Sequence, residues 1–161
     1  MNAKANKIKY TNSPTIDNKK AKFNYEFLEK YEAGLSLLGT EVKSLREGKA
    51  SIAEAFIKIN DNGEAYLIKA FIAPYEQAGK NNHDPNRPRK LLLHKREINR
   101  LMGRVKEKGL TIVPVKIYFN DRGFAKIQIA LARGKANYDK REKIRKRDLD
   151  RQTARDMRKY R

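Results

Sequence analysis

The sequence predicts a mainly β fold: a small closed antiparallel barrel, short helices at its flanks and a basic tail beyond it. Three observations carry this. Residues 23–37 nearly alternate, with Phe23, Tyr25, Phe27, Tyr31, Ala33, Leu35 and Leu37 on one parity, the period of a strand with one buried face. Two later stretches read as hairpins, each folding about a polar cluster, Asn60-Asp61-Asn62-Gly63 and Asn120-Asp121-Arg122-Gly123. The last 29 residues carry thirteen Lys and Arg against five acids, too much charge to build a core.

Taken in order, residues 1–21 are polar and lysine-bearing and read as a mobile basic arm. Residues 23–37 form the long strand, bent near Gly34. Gly39-Thr40 opens a short helix with Thr40 as N-cap, Glu41 beside the positive helix end, Val42 and Leu45 inward and Gly48 as the stop. Its outer face shows Lys43, Arg46 and, just beyond, Lys49. In residues 51–74, Ala55, Ile57 and Ile59 alternate toward the first turn and residues 65–72 return. Residues 74–88 hold Gly79, Asn81, Asn82, Pro85 and Asn86, a loop that ends in the basic group Arg87, Arg89 and Lys90.

Within residues 91–108, Ile98, Leu101, Met102 and Val105 recur at helical spacing, with Lys95, Arg96, Arg100 and Arg104 on other faces. Gly109 ends this helix. Residues 111–119 then pair with residues 124–132, and Pro114, which has no N–H to donate, implies an edge or a bulge. Strands of this length with short helices between them suit a closed barrel of the oligonucleotide-binding (OB) kind better than a sandwich. After Gly134 there is no further Gly or Pro, and Asp139 with Lys143 and Glu142 with Lys146 are spaced to support a helix. Such a helix is roughly 40 Å long at about 1.5 Å per residue. The expected organisation is an arm (1–21), a barrel (22–132) and a tail (133–161).

A net charge of +19 in 161 residues makes a polyanion the first partner to expect. The chain has no cysteine, which excludes disulfides and thiolate metal sites and fits a reducing compartment. No apolar run approaches the roughly 20 residues of a membrane span, so a soluble monomer in the cytoplasm is expected. His83 and His94 lie far apart, and neither Leu45-Arg46-Glu47-Gly48-Lys49 nor Arg133-Gly134-Lys135 has the spacing of a phosphate loop. Glu26, Glu29, Asp61 and Glu64 read as a solvated strand face and turn chemistry. No catalytic residue, metal or cofactor is therefore expected. Glu32 stands apart, since a carboxylate among bases can accept hydrogen bonds from base or ribose edges. Three basic groups, Asn18-Lys19-Lys20 with Lys22, then Lys43, Arg46 and Lys49, then Arg87, Arg89 and Lys90, together with Tyr25 and Phe27, point to RNA. The residues alone also fit a ribosomal or initiation-factor-like protein.

Several segments in order narrow this: Asn18-Lys19-Lys20-Ala21, Tyr31-Glu32-Ala33-Gly34-Leu35, Gly39-Thr40-Glu41-Val42-Lys43-Ser44-Leu45-Arg46 with Gly48-Lys49-Ala50, Arg89-Lys90-Leu91-Leu92-Leu93, and Gly134-Lys135 followed by Asp139-Lys140-Arg141. The set resembles the SsrA-binding protein (SmpB) family, the partners of transfer-messenger RNA in bacterial trans-translation. The resemblance implies an OB-type barrel that binds the tRNA-like domain of that RNA and is carried to stalled ribosomes. It implies that Asn18, Glu32 and Leu92 bind RNA or shape the surface that does, with Lys43, Ser44 and Arg46 close by. The tail is implied to be disordered when free and helical in the decoding centre and empty mRNA channel, against 16S ribosomal RNA.

Gly134 is then the hinge, and Asp139, Lys140 and Arg141 contact ribosomal RNA, in a tail segment that also carries Lys135, Tyr138, Lys143, Arg145, Lys146 and Arg147. Elongation factor Tu and alanyl-tRNA synthetase are implied partners through the RNA. Tyr138 stands where some relatives carry His, and Asp156 precedes Met157 where an apolar residue is expected.

Overall fold

β2 (Tyr25–Leu35) is the longest strand and the one around which the others are arranged. The computed structural model describes residues 13–107 and 109–159, so the first twelve residues of the expected arm, Lys108 and the last two residues of the tail lie outside the described residues. Before β2 come β1 (Ile16–Asp17) and α1 (Lys19–Asn24). After it come α2 (Gly39–Arg46), β3 (Ala50–Ser51), β4 (Phe56–Ile59), β5 (Ala65–Ile68), β6 (Phe71–Ile72), a 3-10 segment (Glu76–Asn81) and β7 (Arg89–Leu92). α3 (Lys95–Val105), β8 (Leu110–Phe119), β9 (Ala125–Gly134) and α4 (Asn137–Lys159) complete the chain.

Seven strands form one antiparallel sheet in the order β1-β8-β9-β2-β7-β5-β4, and β3 pairs with β6 beside it. The sheet curls until β4 lies beside β8. No ladder joins those two strands among the described residues, so the mainly antiparallel fold with flanking helices is as expected but the barrel is not closed. The reason lies at β8. Its free edge is already taken by β1, with Ile16 opposite Ile117 and Asp17 opposite Lys116, and Pro114 has no N–H to offer β4. Asn18 occupies the seam instead: its backbone N–H donates to Val115 O at 2.9 Å, and its side-chain amide donates to Pro114 O at 2.9 Å and to Ile52 O at 3.0 Å.

Two bulges set which side chains face the core. The β2–β9 register shifts between Phe27 and Glu29, and the β8–β9 register shifts between Pro114 and Lys116. On β2, Tyr31, Ala33 and Leu35 therefore face the main core with Leu45, Leu67, Leu91, Leu101, Ile117, Ile127 and Ile129. Tyr25 and Phe27, expected on the same face, lie on the far side of the bulge and pack on a second cluster of Ala21, Val113, Val115, Ala130 and Ala132. Phe23 is not in the strand at all; it belongs to α1, whose Ala21 covers that second cluster. β1 and α1, which precede residue 22 in whole or in part, therefore pack on the sheet with the body.

The first hairpin pairs Phe56 with Ile68 and Ile59 with Ala65, and the second runs from Leu110 opposite Arg133 to Phe119 opposite Ala125. α2 ends at Gly48, whose φ of 74° suits glycine. Its N-cap is Leu38, not Thr40: the Leu38 N–H donates to Glu41 Oε2 at 2.8 Å, while the Thr40 hydroxyl bonds His83 Nδ1 at 2.8 Å. The stretch before α3 also differs from expectation. Residues 89–92 pair with β2 and β5 as a strand, and the helix starts only at Lys95. Asn137–Lys159 of the tail, expected to be disordered when free, form a continuous helix here, with no residue of that helix buried.

Candidate nucleic-acid interface

Beyond its bulge, β2 turns Ala33 and Leu35 inward and so presents Lys30, Glu32 and Gly34 outward. Register then lines up what lies beside them. Glu32 is opposite Gln128, which is opposite Lys116; Gly34 is opposite Lys126, which is opposite Tyr118. On its other side Gly34 pairs with Leu92, and Tyr66 pairs with Lys90. Leu92 is 58 % exposed, although its neighbour Leu91 is core. A Cβ on Gly34 would stand 3.3 Å from Leu92 Cβ and Cδ1. The bare backbone of Gly34 thus leaves open ground between a carboxylate, an exposed aliphatic side chain and two lysines.

The Tyr118 hydroxyl reaches across β9 and donates to Glu32 Oε2. Burial, that hydrogen bond and the Glu32 charge push the Tyr118 phenol up to about 12, so it remains a donor at neutral pH. Lys116 Nζ sits 5.2 Å from the centre of the Tyr118 ring. Lys90 bonds Glu64 at 3.2 Å; this contact, with donation from Asn60 and Tyr66, holds the Glu64 carboxyl below its ordinary value. The face offers ammonium groups for phosphates, a carboxylate for N–H or hydroxyl donors, and an apolar side chain for a sugar or base.

α2 stands at the Phe119 end of this face. The Arg46 guanidinium lies 5.4 Å from the Phe119 ring centre, one residue along β8 from Tyr118. Lys43 Nζ lies 5.2 Å from the Tyr75 ring, and Lys49 bridges Glu47 at 3.1 Å and Glu76 at 3.5 Å. Two residues named with this group are interior: Arg89, expected in the basic group that meets RNA, cannot touch it directly, and Ser44, expected close to that surface, is buried. The buried Ser44 hydroxyl donates to Ala73 O at 2.7 Å. Arg89 is 0 % exposed and gives its guanidinium to Glu41, Ala70 O, Asp84 O and Pro85 O. Its partner Glu41, equally buried, also takes a two-pronged contact from Arg87 at 2.8 Å. Burial alone would raise Glu41, but donation from Arg87, the Leu38 N–H and Arg89 holds it below its ordinary value.

Asn18 is 1 % exposed, which leaves the second of its two expected roles, shaping the surface. Besides its two seam bonds, its side-chain oxygen caps α1 by accepting from the Ala21 N–H at 2.9 Å. It can shape a surface but not offer one. Around it Lys19 is exposed, Lys20 is paired with Glu54, and Lys22 lies 3.6 Å from Asp17. This group stands at the Tyr25 end of β2. Nine residues at about 3.3 Å each separate it from Gly34 by about 30 Å. The structure therefore splits the expected RNA-binding set between two ends of one sheet.

The tail leaves the Tyr25 end. Gly134 closes the β9 ladder opposite Tyr25, and a Cβ there would meet nothing. Beyond it, Tyr138, Asp139, Arg141, Arg145, Lys146 and Arg147 are exposed and Lys135 and Lys140 are half-buried. Among the described residues the tail's hydrogen bonds and cation–ring contacts with the body come from its start, through Lys135, Lys143 and Arg147.

Lys116, Tyr118, Lys126, Gln128 and Gly34 were not singled out in the sequence as site residues. Their signal is the polar parity of β8 and β9, which becomes informative only when register sets it beside Glu32. Among the described residues no three His, Cys, Asp or Glu side chains gather as a metal site, and no helix is long and apolar enough to cross a membrane.

A protein-family profile described as SmpB protein matches residues 15–159. The chain belongs to the SmpB family. Its SmpB relatives include an SsrA-binding protein of Thermosipho melanesiensis, 58 % identical over 134 residues, which cover 83 % of this chain and 90 % of that one. An SsrA-binding protein of Solidesulfovibrio magneticus is 57 % identical over 140 residues, 87 % of this chain and 90 % of that one. A chain in the solved structure "tmRNA-SmpB: a journey to the center of the bacterial ribosome" superposes with a TM-score of 0.67 at 52 % identity, over 83 % of this chain and 96 % of that chain. The SmpB match spans both ends of the sheet and all of α4.

Proposed function

We propose that this protein is a non-catalytic RNA-binding adaptor of trans-translation: it holds the tRNA-like domain of transfer-messenger RNA and takes it to stalled ribosomes. The observation that carries the reading is the outward face of β7, β2, β9 and β8. There Glu32, fixed by Tyr118, stands beside exposed Leu92 and near Lys116 and Lys126. Lysines bind phosphates without regard to sequence, while a fixed carboxylate selects for donors on a base or ribose. The solved SmpB relative, described as tmRNA-SmpB and set in the bacterial ribosome, supports the same partners.

The body, about residues 22–132 with the preceding β1–α1 segment, chooses the RNA. The tail, residues 133–161, tests the decoding centre and the mRNA channel: a long basic helix fits a phosphate-lined channel only when no message fills it. Asp139, Lys140 and Arg141 meet 16S ribosomal RNA, and elongation factor Tu and alanyl-tRNA synthetase join through the bound RNA. The setting is the cytoplasm. Purifying the protein from lysate and sequencing its RNA tests the reading. One dominant small RNA with a tRNA-like end is expected. Near-stoichiometric recovery on all ribosomes, without that RNA, would point to a ribosomal protein instead.

A further inference from the structure

The joint between body and tail gathers positive charge without a counter-charge. Lys135 N–H donates to Asn24 O at 2.9 Å, and the Lys135 and Lys143 ammonium groups both reach Lys22 O, at 3.4 and 3.5 Å. Lys143 Nζ lies 5.9 Å and the Arg147 guanidinium 5.6 Å from the centre of the Phe23 ring. Among the described residues no carboxylate lies within 4 Å of Lys135, Lys143 or Arg147 in an ion pair. Burial, then the neighbouring Lys135 and Arg147, push the Lys143 ammonium below its ordinary value. Three cations crowded around one carbonyl and one ring repel one another, and an anion seated among them reverses the sign of that interaction.

We propose that Lys135, Lys143 and Arg147, gathered at the Lys22 carbonyl and the Phe23 ring, form a phosphodiester site that grips the RNA held by the sheet face. This rests on the RNA-binding reading above and adds to it that the first turns of the tail act on the body's RNA before any ribosome is met. The position supports that source. The site is shared with α1 and lies on the same sheet as the Glu32–Leu92 face, about 30 Å along β2 at about 3.3 Å per residue, so a structured RNA laid along the sheet can reach both. Past Arg147 no hydrogen bond, ion pair or cation–ring contact ties α4 to the body among the described residues, which leaves about the outer half of the helix free for another partner. Occupancy of the site ties tail direction to RNA binding, since two of its cations are on α4 and the ring is on α1.

The test is equilibrium binding of the full chain to a transcript of the tRNA-like domain, without ribosomes, across a salt series. The variants are Lys143→Gln with Arg147→Gln, Phe23→Leu, and Arg151→Gln with Arg155→Gln as a distal control. Losing two phosphate contacts should weaken binding about 3- to 10-fold and flatten the log–log salt dependence by about 1 to 2 units. The distal pair should change neither, and Phe23→Leu should weaken binding without flattening the slope. Unchanged affinity and slope in the Lys143/Arg147 variant overturns the proposal, as does a loss seen only with small ribosomal subunits, which would assign these cations to ribosomal RNA. Glu32→Gln separates the two levels: if it weakens binding while the joint variant does not, this inference fails and the RNA-binding reading stands. A wild-type chain that does not bind the transcript overturns both.

Discussion

The sheet face and the tail helix both present basic side chains outward, half-buried at Lys116 and Lys126 on the face and nearly all exposed on the helix, but opposite means hold them. On the face, Lys116, Lys126, Glu32 and Leu92 take their places from strand register, with Ile127, Ile129 and Leu91 buried directly beneath. On α4 no residue is buried, and among the described residues its side-chain ties to the body are Lys143 and Arg147, with Lys135 just before it. A face built on a core keeps its pattern whether or not a partner is present, which suits it to choosing one RNA. A helix with no buried side depends on what surrounds it, which suits it to reporting whether a channel is empty.

The largest expected effect breaks the support of the face. Glu41→Ala leaves Arg89 buried without its carboxylate, and such a loss costs roughly 3–5 kcal/mol. Denaturant unfolding should show it, and RNA binding should fall with the folded fraction. Ending the chain after Arg147 should instead shift the unfolding free energy by less than about 0.5 kcal/mol; an equal loss from the two changes would erase the contrast. Next in size is the face itself. Glu32→Gln or Leu92→Ala should lower affinity for the tRNA-like domain by roughly 1–3 kcal/mol at an unchanged melting temperature, and a Glu32 variant that binds as wild type would remove that residue from the site.

Smaller effects come with pH. Glu29, held down by the Tyr31 hydroxyl and by Arg100 and Arg104, and Glu41, held down by Arg87, the Leu38 N–H and Arg89, both titrate below the ordinary 4.5 in the folded chain. Their contribution is present above 4.5 and is lost as pH falls through the lowered folded values, so acid unfolding should set in below that point. Glu29→Gln should flatten this loss; an unaltered acid limb counts against the assignment. The smallest effect is local. Carbon-13 NMR of labelled tyrosine should show Tyr118 titrating near 12 and falling in Glu32→Gln by the share of the hydrogen bond and charge, with burial still holding it above 10. A raised phenol contributes stability that is present below 10 and lost as pH rises toward 12, so nothing changes at neutral pH.

Much of this was legible in the sequence, and the failures share a cause. The two hairpins, α2, the irregularity at Pro114 and the long charged helix follow from alternation, turn residues and helical spacing. The Phe27–Glu29 bulge has no sequence signature, and it reversed the facing of Tyr25 and Phe27 relative to Tyr31. Arg89 and Lys90, adjacent and alike in composition, met opposite fates because β7 alternates: Arg89 shares the inward parity of Leu91, Lys90 the outward parity of Leu92. A charge count cannot separate them. For Asn18 two roles stayed open in the sequence, since an amide can bind RNA or shape a surface by clasping a seam, and only its buried geometry separates them. Closure of the barrel failed for a local reason, the β1–Asn18 segment lying where β4 would have paired.

The most direct test of the division between face and tail is a paired assay of the chain ended after Arg147, which keeps the joint and removes the outer helix. Affinity for the tRNA-like domain should stay within about twofold of wild type, the scatter expected of surface changes, while tagging on stalled ribosomes is lost. Full tagging by the shortened chain, or loss of RNA affinity and tagging together, would contradict the account.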